Sequence, residues 1–511
     1  MSKSVSVLTQ YFGFDSFREG QEGVIDAVIS GRDALAVMPT GAGKSLCFQL
    51  PALILDGVTI VVSPLISLMR DQVQSLVTEG IPAAYINSSL TQGQVAKVIR
   101  NAAEGKYKLI YVAPERLLTR SIYELVQCID ISFLAVDEAH CISQWGQDFR
   151  PSYLDIPRFI ESLLKRPVVA AFTATATPRV RKDISDALIL HNPFTIITGF
   201  DRPNLYFEVR KPSKKYPALL SYLNTTNGNG IIYCSTRKEV ERVTERLRQD
   251  KISAVRYHAG LTDYERATAQ DDFLYDRVRV IVATNAFGMG IDKSNVRFVI
   301  HYNMPQNIES YYQEAGRAGR DGLESYCILF FNYSDIITAN FLIDKSENKE
   351  EIKRNRQLLD KIKQYCETTT CLRSYILNYF GEKHTGNCDN CSNCITSKTN
   401  QKTDITEDAQ KVLSCIVRVT NAGSPANIQT IKNIVKGVKD DYLILSELHK
   451  LPTFGVMRGA ESVYLDKIFA ELAAGGYIEY SEIIPPEVIL TQSARNVLFG
   501  NTKVFIIDEN A

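Results

Sequence analysis

The sequence predicts an α/β protein of two lobes in tandem, each a parallel sheet with helical crossovers, followed by a helical cysteine-rich segment and a mostly helical C-terminal module. Three observations predict it. Short apolar runs alternate with longer amphipathic stretches, the pattern of strands buried on both faces. The alternation occurs twice over comparable lengths. Four cysteines then crowd between 371 and 394. At roughly 100–200 residues per domain, a chain of 511 residues suits three or four domains.

The first series of runs is Ala34–Met38, Thr59–Val62, Leu109–Val112, Phe133–Val136 and Val168–Phe172. The second is Ile231–Tyr233, Ala254–Tyr257, Val280–Ala283, Phe298–Ile300 and Cys327–Phe331. Gly199-Phe200-Asp201-Arg202-Pro203-Asn204 reads as the hinge between them. Helical pattern takes over after about 336, and the polar run Ile395–Thr406 reads as a linker. The chain closes with Tyr477–Tyr480, a Pro485-Pro486 turn and Val488–Leu490, a hairpin pattern. The expected domain bounds are 1–200, 201–335, 336–400 and 405–511.

Composition is ordinary for a globular protein, with 45% hydrophobic and 23% charged residues. Lys+Arg and Asp+Glu are both 58, so bulk charge announces no polyanion partner. Phosphate contacts must come from local patches or backbone N–H groups. No run of 18 apolar residues marks a membrane span, and the N-terminus has no signal-like apolar core. The expectation is an intracellular chain, cytoplasmic and nucleoid-associated if bacterial, whose cysteines are not disulfides.

Chemistry first shows in Met38-Pro39-Thr40-Gly41-Ala42-Gly43-Lys44-Ser45, directly after an apolar run. Glycines let backbone N–H groups wrap a phosphate at a helix N-terminus, Lys44 reaches the β- and γ-phosphates, and Ser45 holds Mg²⁺. The strict pattern wants Gly where Met38 stands. About ninety residues on, Asp137 and Glu138 follow the run Phe133–Val136. Asp137 suits Mg²⁺, and Glu138 suits polarising the attacking water. In the second series Arg317 and Arg320 lie three apart. Their delocalised charge suits a developing negative charge on a γ-phosphate. A surface ion-pair helix is the bland alternative for such a pair.

In this order the motifs resemble superfamily 2 helicases, and in detail the RecQ family of ATP-dependent DNA helicases. The resemblance rests on Phe14–Gln21, Val62–Met69, Asp137–Gly146, Ala283–Lys293 and Gln313–Gly322. It is strong over roughly 8–395. It implies two RecA-like lobes, then a helical zinc-binding subdomain and a winged-helix domain. It also implies that Phe14, Arg18 and Gln21 meet the adenine. Thr40, Gly41, Gly43, Lys44, Ser45, Gly288, Asp292 and Gln313 would serve the nucleotide. Phe172–Thr177 would couple the ATP site to the cleft, with Arg320 as the finger beside Arg317. The family's helical C-terminal accessory domain is expected to be missing from this short form.

Trp145, the only Trp, lies in a polar context with Phe149 and Arg150. A loop presenting these outward suits stacking of unpaired bases, and a packed loop anchor is the alternative. Stacking does not separate DNA from RNA; the preference for DNA comes from the family. Ser63, Ser67 and His258 are expected at the strand. Cys388, Cys391 and Cys394 with Cys371 offer a closed tetrahedral zinc set. Cys366 competes on spacing, and the family pattern favours Cys371. By the family, Tyr464–Ala474 reads as a recognition helix and Tyr477–Leu490 as a wing. The wing's Ile483-Ile484-Pro485-Pro486 tip is expected to be a strand-separating pin or else a dimer or protein-binding surface.

The cofactors expected are ATP, Mg²⁺ and Zn²⁺. The expected partner is single-stranded or forked DNA with a 3′ tail, met by a monomer that also contacts a single-strand DNA-binding protein. Unwinding from 3′ to 5′ in repair, recombination and fork maintenance is the family's implication. A translocase with weak unwinding and a non-catalytic nucleic-acid scaffold are the alternatives.

Overall fold

The computed structural model describes residues 2–507 other than 40, 147, 289–292, 385, 400–401 and 482–486. Among them, no helix is long and apolar enough to cross a membrane. The chain divides into two units, residues 1–363 with 376–385, and residues 364–375 with 386–511.

The first unit carries two parallel sheets. Its N-terminal sheet contains β1 (Ala34–Val37), β2 (Val58–Val62), β3 (Ala83–Ile86), β4 (Leu109–Val112), β5 (Ile131–Val136), β6 (Val168–Thr173) and β7 (Phe194–Ile197). Their order is β3-β4-β2-β5-β6-β1-β7, and all registered pairs are parallel. β1, β2 and β4 are buried along their whole length, which is why they read as unbroken apolar runs. Buried Asp33 fastens the start of this sheet. It accepts from both Arg166 terminal nitrogens and from the backbone N–H groups of Val169 and His191. One carboxylate thereby aligns the entries of β1, β6 and the approach to β7. Burying it is tolerable because each oxygen is hydrogen-bonded and the charge is paired.

The second sheet contains β8 (Leu205–Arg210), β9 (Asn229–Tyr233), β10 (Ala254–Tyr257), β11 (Val280–Ala283), β12 (Val296–His301) and β13 (Ser325–Phe330). Its order is β10-β11-β9-β12-β13-β8, again parallel. Gly199–Asn204 crosses from β7 of one sheet to β8 of the other. Sequence reading missed β3, β7 and β8. β7 is half-exposed along one side and β8 mixes charges into its pattern, so neither shows an apolar run.

In the second unit, helix Thr406–Asn421 buries Ala409, Val412, Leu413, Ile416 and Val419 against Ile431, Ile434, Leu465 and Phe469. Helix Ser462–Ala474 leads to an antiparallel hairpin of Ile478–Tyr480 and Val488–Leu490. This is the helix-then-wing order expected. The tip, Ile483–Pro486, lies outside the described residues. The expected linker at 395–406 is corrected: helix Ser392–Thr399 runs through its start, and Lys402–Asp404 pairs antiparallel with Phe505–Ile507. A polar strand whose partner is a hundred residues away carries no local signal.

Candidate functional site

β1 and β5 flank β6, so their C-terminal ends lie two strands apart on one edge of the sheet. Ligands of open parallel sheets bind beyond such ends. After β1, Gly41 and Gly43 take left-handed conformations with φ of +87° and +81°. A Cβ on Gly43 would stand 2.4 Å from Gln21 Nε2, and at this φ the seat favours glycine. Lys44 Nζ donates to the carbonyls of Met38 at 3.0 Å and Pro39 at 3.3 Å. Desolvation pushes its ammonium down, while the Glu138 and Asp137 carboxylates oppose that. Ser45 precedes helix Leu46–Ile54.

The three residues expected at the adenine divide. Phe14 is 53% exposed, an open aromatic face. Gln21 is 3% exposed and turned onto the loop: Nε2 donates to the carbonyls of Ala42 (3.0 Å) and Gly43 (3.2 Å), and Oε1 accepts from Arg18 N. Arg18 Nη1 donates to the Gly41 carbonyl at 2.5 Å. In this conformation Arg18 and Gln21 shape the phosphate loop. Thr40 and Asp292 lie outside the described residues.

Asp137 leaves β5 with its N–H on the Val62 carbonyl and its own carbonyl accepting from Tyr153 Oη. Burial and the neighbouring Glu138 carboxylate push Asp137 up to about 7, with Lys44 opposing. Glu138 is left-handed at φ 46°, which swings its side chain toward His140 Nδ1, 3.3 Å away. His140 Nδ1 is also 2.9 Å from Thr173 Oγ1 at the end of β6. Two adjacent, half-buried carboxylates beside a lysine fit a divalent cation, whose charge would offset their mutual repulsion. Asp137, with Ser63 Oγ 3.5 Å from it, and Ser45 are the residues that would hold it.

From the second sheet, Arg320 approaches this loop. Its Cγ would lie 3.9 Å from a Cβ on Gly41, and its charge acts on Lys44. Arg317 stays within its own lobe: it is buried, and its Nη1 donates to the Gly288 carbonyl. Gln313 lies half-buried on helix Ile308–Ala315, ahead of both arginines.

In the second unit, the Sγ atoms of Cys371, Cys388, Cys391 and Cys394 all lie within 4.8 Å of one another, and Cys388 and Cys394 are 3.9 Å apart. Tetrahedral zinc at Zn–S of about 2.3 Å places sulfurs about 3.8 Å apart, so the set fits that ion. Hydrogen bonds from Cys391 and from Ser374, side chain and backbone, hold Cys371 below the usual thiol range, toward the thiolate that ligation needs. Cys366 is buried outside the set.

Family models match the same order of parts: DEAD/DEAH box helicase at 18–184, helicase conserved C-terminal domain at 214–322, RecQ zinc-binding at 333–395 and RQC domain at 399–510. The ATP-dependent DNA helicase RecQ of Bacillus subtilis is 43% identical over 99% of this chain and 85% of its own. The chain belongs to the RecQ family. That of Haemophilus influenzae is 42% identical over 97% of this chain and 80% of its own. Among solved structures, the helicase MrfA bound to DNA superposes with a TM-score of 0.54 at 19% identity, covering 76% of this chain and 60% of that one. Mycobacterium smegmatis Lhr bound to single-stranded DNA and AMP-PNP gives 0.52 at 21%, covering 66% and 49%. At such identity these show the fold alone.

The residues that a RecQ protein is expected to turn toward a strand are more enclosed than the sequence implied. Trp145, Phe149 and Arg150 are half-buried. The Arg179 guanidinium lies 3.6 Å over the Trp145 ring. Trp145 N donates to Ser143 Oγ, which donates to Asp183 at 2.5 Å. Arg150 is held by Asp148 and by the Pro64 carbonyl at 2.8 Å. Ser63 is buried and Ser67 exposed. His258 is 5% exposed, with Nε2 2.8 Å from Glu241, so its reach is inward. Arg179 carried no sequence signal, since it reads as one charge among several on an amphipathic helix.

Proposed function

We propose the following working cycle for this RecQ family ATP-dependent DNA helicase. The observation that carries it is Arg320 of the second lobe standing beside Gly41 of the first. A cation from one lobe at the phosphate loop of the other makes lobe closure sensitive to the γ-phosphate. Gly41, Gly43 and Lys44, with Thr40, cradle the phosphates of MgATP. Ser45 and Asp137 hold Mg²⁺, which screens phosphate charge when bound. Glu138 orients water and takes up its proton, and His140 joins Glu138 to Thr173 on β6. Arg320 stabilises charge developing on the transferred phosphoryl group, and Arg317 braces Gly288. Phe14 stacks on the base, while Arg18 and Gln21 fit the loop to it, with Gln313 at the cleft.

Hydrolysis releases Arg320's attraction, the lobes part, and the chain steps along one strand. Trp145 exchanges the Arg179 guanidinium for a base, a cation–π contact for a stacking one, with Phe149, Arg150, Ser63 and Ser67 alongside. Since the Trp145 loop follows Glu138 directly, that exchange moves the catalytic carboxylate. His258 steadies its loop through Glu241. The cysteine set holds structural Zn²⁺, which supplies folding energy and no reaction step.

We also propose 3′-to-5′ movement, a monomer, contact with a single-strand DNA-binding protein, work at the nucleoid, and domain bounds at 1–200, 201–335, 336–400 and 405–511. Unwinding of a fork with a 3′ tail tests the whole reading. Unwinding with MgATP from a DNA tail, absent with a 5′ tail or an RNA tail, is expected. DNA-stimulated hydrolysis without unwinding would leave only a translocase.

A further inference from the structure

The crossing between the sheets carries two polar side chains that the motifs do not use. Arg202 donates to the carbonyls of Gly316 (3.4 Å), Ala318 (3.1 Å) and Gly319 (2.8 Å). These groups follow helix Ile308–Ala315, where carbonyls run out of intrahelical partners. They also span the turn from Arg317 to Arg320. Asn204 Nδ2 donates to the carbonyls of Gly319 and Leu323, each at 2.9 Å, and the Asn204 carbonyl accepts from Ser325 N. Gly319 is left-handed at φ +56°, and a Cβ there would stand 2.4 Å from Asn204 Nδ2. The turn is therefore built against the crossing, not merely near it.

Two residues upstream the crossing is anchored. Phe200 N donates to Glu382 at 2.6 Å, and Tyr312 Oη donates to the Phe200 carbonyl at 2.6 Å. The Phe200 ring stacks on Phe380 at 4.6 Å and 14°. Tyr312 belongs to the helix that leads into the arginine turn. The segment that joins the two sheets thus grips the turn at 202 and 204 and its helix at 200.

We propose that Arg202, seconded by Asn204, is a positioning residue for ATP hydrolysis: it holds the Gly316–Gly319 turn so that Arg320 meets the phosphate loop. The inference rests on the reading of Arg320 as the phosphate-facing arginine. A planar fork of donors suits three carbonyls at once, and a lysine ammonium does not reproduce it.

The test uses the full chain with Arg202→Lys, Arg202→Ala, Asn204→Ala and, as reference, Arg320→Ala. Steady-state ATPase at saturating oligo-dT gives kcat and KM for ATP. Binding of ADP–aluminium fluoride probes the transition-state arrangement, and thermal melting checks folding. Both Arg202 variants should lose kcat by roughly tenfold to a hundredfold, because a small misplacement of a catalytic group costs that much. ADP–aluminium fluoride affinity should fall with kcat, while KM for ATP and oligo-dT affinity stay within about twofold, the signature of a group acting only in the transition state. Asn204→Ala should show the same split, smaller. Arg202 variants with kcat near wild type beside an inactive Arg320→Ala would overturn the inference alone. So would a kcat that falls only in proportion to lost folded protein. A fully active Arg320→Ala would overturn the reading beneath it, and the inference with it.

Discussion

The two chemical centres of this molecule are supported in opposite ways. At the nucleotide site the fold holds the residues: two parallel sheets, buried along most strands, present Lys44, Asp137 and Arg320 at their edges. At the cysteine cluster the residues hold the fold. Cys371 enters helix Leu372–Tyr379 and Cys394 lies within helix Ser392–Thr399, and the residues between them form no long element. Losing a side chain should therefore abolish chemistry without unfolding in the first case and unfold locally in the second.

The sharpest attempt to break this contrast is Cys391→Ser. Structural zinc contributes on the order of 10 kcal/mol or more to a small module, so the substitution should release zinc and open 366–394 to protease. Zinc content by metal analysis and the cleavage pattern report it. Intact zinc and a wild-type pattern would count against the set. Next comes Lys44→Ala. ATPase should fall by about a thousandfold, a loss of about 4 kcal/mol in the transition state, with the melting temperature nearly unchanged. A variant that unfolds instead would erase the distinction.

Glu309 sharpens the comparison within the first unit. Burial pushes it up to about 7 from 4.5, although Tyr379 Oη donates to it. Its folded value is the higher one, so its contribution is fully present below 4.5 and is lost as pH rises toward 7. The loss is on the order of 3 kcal/mol. Glu309→Gln, which keeps an acceptor for Tyr379, should flatten stability between pH 4.5 and 7 and raise the melting temperature at pH 8. A denaturation series against pH measures it; an unchanged slope would assign the pH dependence elsewhere.

The smallest effect expected is at Trp145. Trp145→Ala should weaken oligo-dT binding by about 1–3 kcal/mol and reduce DNA stimulation of ATPase, leaving DNA-free turnover intact. Arg179→Ala, by uncovering the ring, should strengthen binding slightly. If both variants bind as wild type, Trp145 is a packed loop anchor.

Legibility followed distance along the chain. Gly41–Ser45, Asp137-Glu138 and the Cys388–Cys394 spacing are local patterns, and their chemistry showed at once. Asn204 and Pro203 marked a crossing, but nothing local says that Arg202 grips carbonyls more than a hundred residues ahead. β7 and β8 escaped notice because half-exposed or charged strands lack an apolar run. The strand Lys402–Asp404 looked like a linker because its only partner is Phe505–Ile507. Trp145 looked outward because its cover, Arg179, comes from a different element.

By itself the sequence determined the central strands of the two parallel sheets, since strands buried on both faces must be continuous runs of apolar residues. It also determined the phosphate loop, the acidic pair and the cysteine set, where ligand chemistry demands given residue types at given spacings. Only the tertiary structure decided that Gln21 and Arg18 turn onto the phosphate loop, that His258 points inward to Glu241, and that Arg317 braces Gly288 while Arg320 reaches the other lobe. Those outcomes depend on which polar groups packing leaves to be satisfied, and each buried donor takes the acceptor that the folded chain brings to it.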